Sequence, residues 1–178
     1  LTDVLNKLKA KNVEAVVNWS IEPAQSIIAK NMRQIKFNVP LFQSHGFGNI
    51  QYVIAAGKEA AEGIIFPAGR LLVAEQLADD HPQKKVLMDY RKAYEAKYNE
   101  EASTFGGFAH DAIILLQKAI EKAGSTETDK VRDALENLQG VMGISGVFNM
   151  SPTDHNGLNI DSFETIIVKD GKFVIYNQ

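Results

Sequence analysis

The stretch AVVNWSIEP (residues 15–23), AQSIIAKNMRQ (residues 24–34) and VPLFQSHGFGN (residues 39–49) decides the fold expected for this chain. Two short apolar runs flank an amphipathic segment of about ten residues, an order that predicts a βαβ unit. The crossover in such a unit makes its two strands parallel neighbours, so both end at the same edge of one sheet. Because open α/β sheets bind ligands at that edge, the turns at 19–22 and 44–47 are the first places to look for function.

Composition excludes several classes of function. The chain has 178 residues, 45% of them hydrophobic, which is enough for a core. Its net charge of -3, without any block of five like charges, argues against nucleic acid or an anionic membrane surface as a partner. Cysteine is absent, which excludes disulfides, thiolate metal sites and cysteine nucleophiles. The four histidines form no i, i+4 pair, so we expect neither a metal site nor a cofactor.

The rest of the chain changes character twice. Residues 63–66 predict a third short strand closed by Pro67, and residues 68–80 resemble a linker or a crossing between lobes. Three helical patterns then follow without a strand between them, and the middle one carries the strongest apolar stripe: Phe108, Ala112, Ile113, Leu115, Leu116 and Ile120. Strand-like runs at 163–169 and 172–176 flank Asp170-Gly171, a strong hairpin signal.

This order of elements is awkward for a complete domain. The helices in the middle third have no sheet of their own to cover, because only about three parallel strands and one hairpin are predicted. We therefore expect the chain to be the second half of a two-lobed α/β protein. A targeting segment, where one exists, would lie upstream of Leu1, which is not an initiator methionine. No apolar run approaches the roughly 20 residues that a membrane helix requires.

A series of short motifs, each weak alone, occurs in the order seen in one family. The motifs are DVLNKLK (3–9), VEAVV (13–17), EPA (22–24), VPL (39–41), GFGN (46–49), AAEG (60–63), YRKAYEAKY (90–98), AHDA (109–112), AIEKAGST (119–126), VRDAL (131–135), GVF (146–148) and VKDGKF (168–173). Together they resemble the branched-chain amino acid (Leu/Ile/Val-binding) class of periplasmic substrate-binding proteins, which have the type I fold and serve ABC importers. The match covers nearly the whole chain but only the C-terminal half of such a protein.

The resemblance implies a receptor rather than an enzyme. It implies two doubly wound three-layer lobes that close by a hinge on a small ligand, with about half of that fold present here. Residues 1–70 would be a second-lobe α/β segment, residues 71–140 a helical segment returning to the first lobe, and residues 141–178 a crossing segment and the second-lobe β-hairpin. The implied setting is the periplasm, and the implied partners are a small-molecule ligand, a membrane ABC permease and the missing N-terminal half.

The resemblance also places the ligand-binding residues. In amino-acid-binding relatives an aromatic residue after the first strand packs on the ligand, and an acidic residue after the next strand neutralises its ammonium group. Here the first position falls on residues 20–22, near Trp19, and the second falls on His45. The ligand-binding residues expected from this placement are Trp19, Ser20, Ile21, His45, Gly46 and Phe47.

This sequence departs from the relatives at the acidic position. The imidazole of His45 cannot replace a carboxylate as counter-ion to a buried ammonium, but it can donate a hydrogen bond to a carboxylate. With Trp19 and Phe47 as aromatic walls, we expect an aromatic or other organic acid as ligand, and a branched-chain amino acid as the second possibility. Purely structural interpretations remain open. His45 could be a loop histidine bonded to backbone groups, Trp19 and Phe47 could be core residues, and Ser20 could be a helix cap.

Two rival functions belong to other classes. The same two-lobed sensor could control a partner protein as a cytosolic regulator, which an upstream signal peptide would contradict. A doubly wound enzyme ranks third, because its motifs fail: Gln51 stands where a dinucleotide-binding loop requires a third glycine, and residues 143–146 are one residue short of a nucleophile elbow.

Overall fold

The computed structural model describes residues 1–177, which form a mixed α/β structure. Short 3-10 helices occupy His45–Phe47, Arg70–Gln76 and Ile160–Ser162. In chain order the other elements are α1 (Thr2–Ala10), β1 (Val16–Asn18), α2 (Gln25–Gln34), β2 (Leu41–Gln43), α3 (Ile50–Ala56), α4 (Lys58–Ala61), β3 (Ile65–Gly69), α5 (Lys84–Tyr98), α6 (Thr104–Ala123), α7 (Thr128–Glu136), β4 (Val141–Met142), β5 (Val147–Phe148), β6 (Phe163–Lys169) and β7 (Lys172–Ile175).

The predicted βαβ unit is confirmed. Strands β1 and β2 pair in parallel, with Asn18 opposite Gln43, and α2 connects them. The sheet continues in the order β1-β2-β3-β6-β7, and β6 and β7 form the expected antiparallel hairpin around Asp170-Gly171. The parallel pairing brings the carboxyl ends of β1 and β2 to one edge, where the turns at 19–22 and 44–47 begin.

The chain divides into two compact units. The first unit comprises Leu1–Ala68 and Glu164–Gln178, and the second comprises Gly69–Phe163. In the second unit α6 packs on α7 and on the two-stranded sheet of β4 and β5, around a core that includes Ala119, Val131 and Phe148. The segment 141–163, which the sequence grouped with the hairpin, therefore packs with the helices. The assignment of these units to lobes of a larger protein stays a prediction.

One local prediction is wrong. Pro67 does not close the third strand but lies inside β3. It is tolerated because β2 ends at Gln43, before the level of Pro67, so no β2 carbonyl there needs its missing N–H. Residues 68–80, expected to be a linker or a crossing between lobes, include the boundary between the two units after Ala68, and Arg70–Gln76 forms a 3-10 helix with Leu71 and Val73 buried. In the part of the chain that the structure describes, no helix is long and apolar enough to cross a membrane.

Candidate functional site

The turns after β1 and β2 lie side by side at the carboxyl edge of the sheet. The ring of Trp19 meets the ring of His45 edge-on, with centroids 6.4 Å apart and an angle of 64° between the planes. Trp19 is 76% exposed, and His45 is exposed as well. These two rings, with Ile21 beside them in the sequence at 62% exposure, form a surface that we call the ledge. Its side chains are accessible to solvent.

Phe47 does not belong to the ledge, although the sequence predicted it as an aromatic wall. Its side chain is fully buried, and its ring packs on Phe66 at 5.4 Å and on Tyr52 at 6.1 Å between centroids. The turn His45–Phe47 is helical, so successive side chains diverge and His45 faces outward while Phe47 enters the core. Phe47 is therefore not in a position to contact a ligand, and its buried ring supports the turn from the core.

Gly46 holds the two turns in close contact. A Cβ atom at this position would lie 2.8 Å from Cγ2 of Ile21 and 2.9 Å from the carbonyl oxygen of Ser20. Ser44 also links the two turns, because its hydroxyl donates a hydrogen bond to the carbonyl of Ser20. Gly46 is thus required for the approach of the two turns rather than for direct contact with a ligand.

Ser20 makes a hydrogen bond within its own turn, which its purely structural interpretation as a helix cap allows. Its Oγ accepts a hydrogen bond from the backbone N–H of Glu22 at 3.0 Å, which shapes the turn that leads into α2. The side chain is half-buried, so its hydroxyl proton can still be donated outward.

A chain of amide side chains beneath the ledge was missed by the sequence reasoning. Nδ2 of Asn18 donates to Oε1 of Gln43 at 2.6 Å, and Nε2 of Gln43 donates to the backbone carbonyl of Gln25 at 3.1 Å. Nε2 of Gln25 donates in turn to the carbonyl of Gly46 at 3.1 Å. Gln25 and Gln43 are buried, so this network fixes the ledge from below. The sequence feature that could have indicated this network is the polar residue at the end of each apolar strand, Asn18 in β1 and Gln43 in β2.

One cavity of the first unit lies away from the ledge. A cavity of about 140 Å³ opens at the amino ends of β2 and β3, and it is lined by Met32, Phe37, Leu41 and Ile64 among others. None of the residues predicted for ligand binding lines it. The ledge is instead an open surface, as expected of one side of a cleft.

The motifs weighed for catalysis have structural roles. Residues 46–48 lie in and directly after the 3-10 turn of His45–Phe47, and the turn 143–146 is held by the buried carboxylate of Asp111. His110 packs edge-on against Tyr90, with ring centroids 5.0 Å apart. Within residues 1–177, no group of three or more histidine, aspartate or glutamate side chains is placed to hold a metal ion.

Comparison with solved structures identifies proteins of the same architecture. An extracellular ligand-binding receptor from Rhodopseudomonas palustris HaA2 superimposes with a TM-score of 0.90 at 27% identity, over 99% of this chain and 51% of that protein. The substrate-binding protein of a branched-chain amino acid transporter from Streptococcus pneumoniae, solved with isoleucine, gives a TM-score of 0.76 at 26% identity, over 96% of this chain and 46% of that protein. The chain therefore spans about half the length of these structures.

Comparison of sequences leads to the same group. The leucine-, isoleucine-, valine-, threonine- and alanine-binding protein of Pseudomonas aeruginosa is 27% identical over 132 residues, which are 74% of this chain and 33% of that protein. The family described as periplasmic binding protein matches residues 1–161. Its members among these relatives are receptors for small ligands, and the type I fold expected from the sequence is confirmed. The chain belongs to the periplasmic binding protein family.

Proposed function

We propose that this chain supplies one side of the ligand cleft of a periplasmic receptor that delivers a small organic acid to an ABC importer. The observation that carries the proposal is the ledge, where Trp19 and His45 stand next to each other and exposed at the carboxyl edge of a parallel sheet. Hinge closure would bring a second lobe, supplied by the upstream half, over the same ligand. The closed receptor is then the form that the permease recognises.

The chemistry of the ledge favours an aromatic carboxylate. The exposed face of the Trp19 ring can stack on a flat ring, a contact worth about 0.5–1.5 kcal/mol beyond the area that it buries. His45 can donate a hydrogen bond to a carboxylate, and such a charge-assisted bond is worth about 1.5–3 kcal/mol. Neither side chain neutralises an ammonium group.

A branched-chain amino acid is the rival ligand, because the relatives from Pseudomonas aeruginosa and Streptococcus pneumoniae bind such ligands. Between residues 18 and 25 and between residues 43 and 52, Glu22 is the single acid, and it is exposed. For an amino acid to bind here, Glu22 would have to supply the counter-ion that His45 cannot. The two ligand classes thus depend on different residues of the same two turns.

A thermal-shift panel on the protein that contains this chain and its upstream half tests the proposal. Benzoate and aryl-keto acids are compared with leucine, isoleucine and valine, since a ligand raises the melting temperature by mass action. We expect the aromatic acids to stabilise the protein. Stabilisation by the amino acids alone would overturn the ligand assignment, and the absence of any stabilisation across a wider panel of organic acids would overturn the receptor function.

A further inference from the structure

The two stretches of chain that join the units are tied to each other by one side chain, Arg70. The chain leaves the first unit between Ala68 and Gly69 and returns to it between Phe163 and Glu164. Arg70 directly follows the first crossing, and its Nη2 donates to the backbone carbonyl of Asp161, just before the second crossing. The strands that contain these crossings, β3 and β6, are neighbours in the sheet.

The same guanidinium is anchored to the interior of the second unit. Nη1 of Arg70 donates to Oε1 of Gln83 at 3.2 Å. Nε2 of Gln83 donates to the carbonyls of Gly143 and Ile144, at 3.0 and 2.9 Å. Gln83 is only 3% exposed, so its amide is held on both sides and gives Arg70 a fixed point of attachment.

The turn that receives Gln83 is itself rigid. Asp111, which is 3% exposed, accepts hydrogen bonds at 2.7 Å from the backbone N–H groups of Ile144 and Ser145, and a third bond at 2.6 Å from the Ser145 hydroxyl. A Cβ atom on Gly143 would lie 2.7 Å from Oδ1 of Asp111, so there is no room for a side chain between the turn and this carboxylate. A continuous set of hydrogen bonds therefore runs from α6 to both crossings.

We propose that Arg70 is a positioning residue that couples the two crossings, so that they bend together as a single hinge. This inference rests on the proposed function, because it assumes that the units open and close around a ligand. With the guanidinium in place, one crossing cannot shift without the other. Without it the crossings keep the pairing of β3 with β6 but lose the side-chain link beyond the sheet, so they bend less in concert, the unliganded receptor samples more conformations, and the fraction able to close on a ligand falls. Apparent affinity falls in proportion to that fraction.

The test compares Arg70→Ala, Arg70→Lys and a matched control in the protein that carries both halves. Arg91→Ala is the control, because Arg91 is also a guanidinium of the second unit and is paired with Glu75 and Glu95 at 3.4 Å. Since this chain lacks cysteine, Lys30→Cys and Asp129→Cys place one spin label on the exposed surface of each unit. Pulsed electron paramagnetic resonance then gives the distribution of distances between the units.

We expect Arg70→Ala to broaden the distance distribution of the unliganded protein and to raise the Kd of the best ligand about three- to tenfold. Arg70→Lys keeps the positive charge but loses the two parallel donors of the guanidinium. Its distance distribution and its Kd should therefore lie between those of Arg70→Ala and the original protein. Arg91→Ala should change neither quantity. Unchanged distances and Kd in Arg70→Ala, with only a lower melting temperature, would reduce Arg70 to a structural role and overturn the proposal. If no ligand binds the original protein, the receptor function fails, while the distance measurement still decides the role of Arg70.

Discussion

His45 is the residue on which the choice of ligand depends. Its ring is exposed and stands beside Trp19, so a bound molecule can reach it. We expect His45→Ala to weaken the binding of an aromatic carboxylate about 10- to 100-fold, because one charge-assisted hydrogen bond is lost. Isothermal titration calorimetry measures the change. His155→Ala, on the exposed surface of the other unit, is the matched control and should leave the Kd unchanged, whereas full affinity in His45→Ala would remove this residue from the site.

Glu22 separates the two ligand classes. An aromatic acid has no ammonium group, so Glu22→Gln should leave its Kd unchanged or lower it slightly by removing a like charge. For leucine or isoleucine the same substitution would abolish the counter-ion and cost at least tenfold in affinity. Titration of both ligands against this one variant gives opposite results under the two hypotheses. A large loss of affinity for the aromatic acid would contradict its assignment.

Gly46 tests the close approach of the two turns. In Gly46→Ala the new methyl group must displace backbone atoms of Ile21 and Ser20 that would lie 2.9 Å away, and such overpacking costs about 1–3 kcal/mol of stability. We expect a lower melting temperature together with weaker ligand binding, because the ledge is formed by the displaced turn. Gly69→Ala is the control for stability, since a Cβ atom there meets nothing within 4 Å. Equal melting temperatures in the two variants would contradict the packing argument.

At the scale of elements, hydrophobic periodicity and turn chemistry predicted the longer helices, the βαβ unit and the hairpin because each depends on local pattern, but they did not predict the two-residue strand β4 or the short helix α4. Periodicity could not place Phe47, since a 3-10 turn of three residues has no period from which its buried side can be read. It also missed Gln25 and Gln43, whose burial depends on bonds to partners 18 and 21 residues away. Local pattern thus indicates where a site lies, whereas its supporting polar contacts are set by tertiary structure.

The anchoring of α6 to the turn 143–146 gives a prediction at the same scale. Asp111→Asn replaces one acceptor oxygen with an NH₂ group that faces backbone donors, leaving buried donors unsatisfied at a cost of about 1–3 kcal/mol. Thermal unfolding should show a clear loss of stability, and hydrogen exchange at Ile144 and Ser145 should accelerate. Asp133→Asn, on the exposed side of α7, is the control. Unchanged protection of the turn would show that Asp111 does not hold it.

Helix α6 connects the element to the whole molecule, because it is apolar on two sides. One side packs on α7 through Ala119 and its neighbours. The other includes Phe108, Ile113 and Leu116 of the stripe predicted from the sequence, and it is exposed at Phe105, Phe108, Ile113 and Leu116, by 46%, 43%, 64% and 42%. Leu115 and Ile120 of the same stripe pack on the side of α7 instead, so the stripe does not form a single face. A helix that is apolar all round is typical of a fully buried position, so we expect the exposed side to be covered in the longer protein.

The sheet of the first unit also leaves apolar side chains exposed. Val17 and Phe42 stand opposite each other on paired strands and are 70% and 37% exposed, although parallel sheets ordinarily bury both faces. Exposed apolar surfaces of this kind mark sites of association. Since the chain also spans only about half of the solved relatives, we expect an upstream half to cover both surfaces.

We therefore expect the 178-residue chain alone to form oligomers whose proportion rises with concentration, and to become a defined 1:1 complex when the upstream half is co-expressed. Burying the exposed part of each large side chain on α6 is worth about 1 kcal/mol. Ile113→Glu should thus reduce self-association and also weaken the complex with the upstream half, as measured by sedimentation velocity. Ile160→Glu is the control, because Ile160 is 80% exposed but lies outside α6. A chain that stays monomeric and does not bind the upstream half would contradict the inference that these surfaces form its binding site.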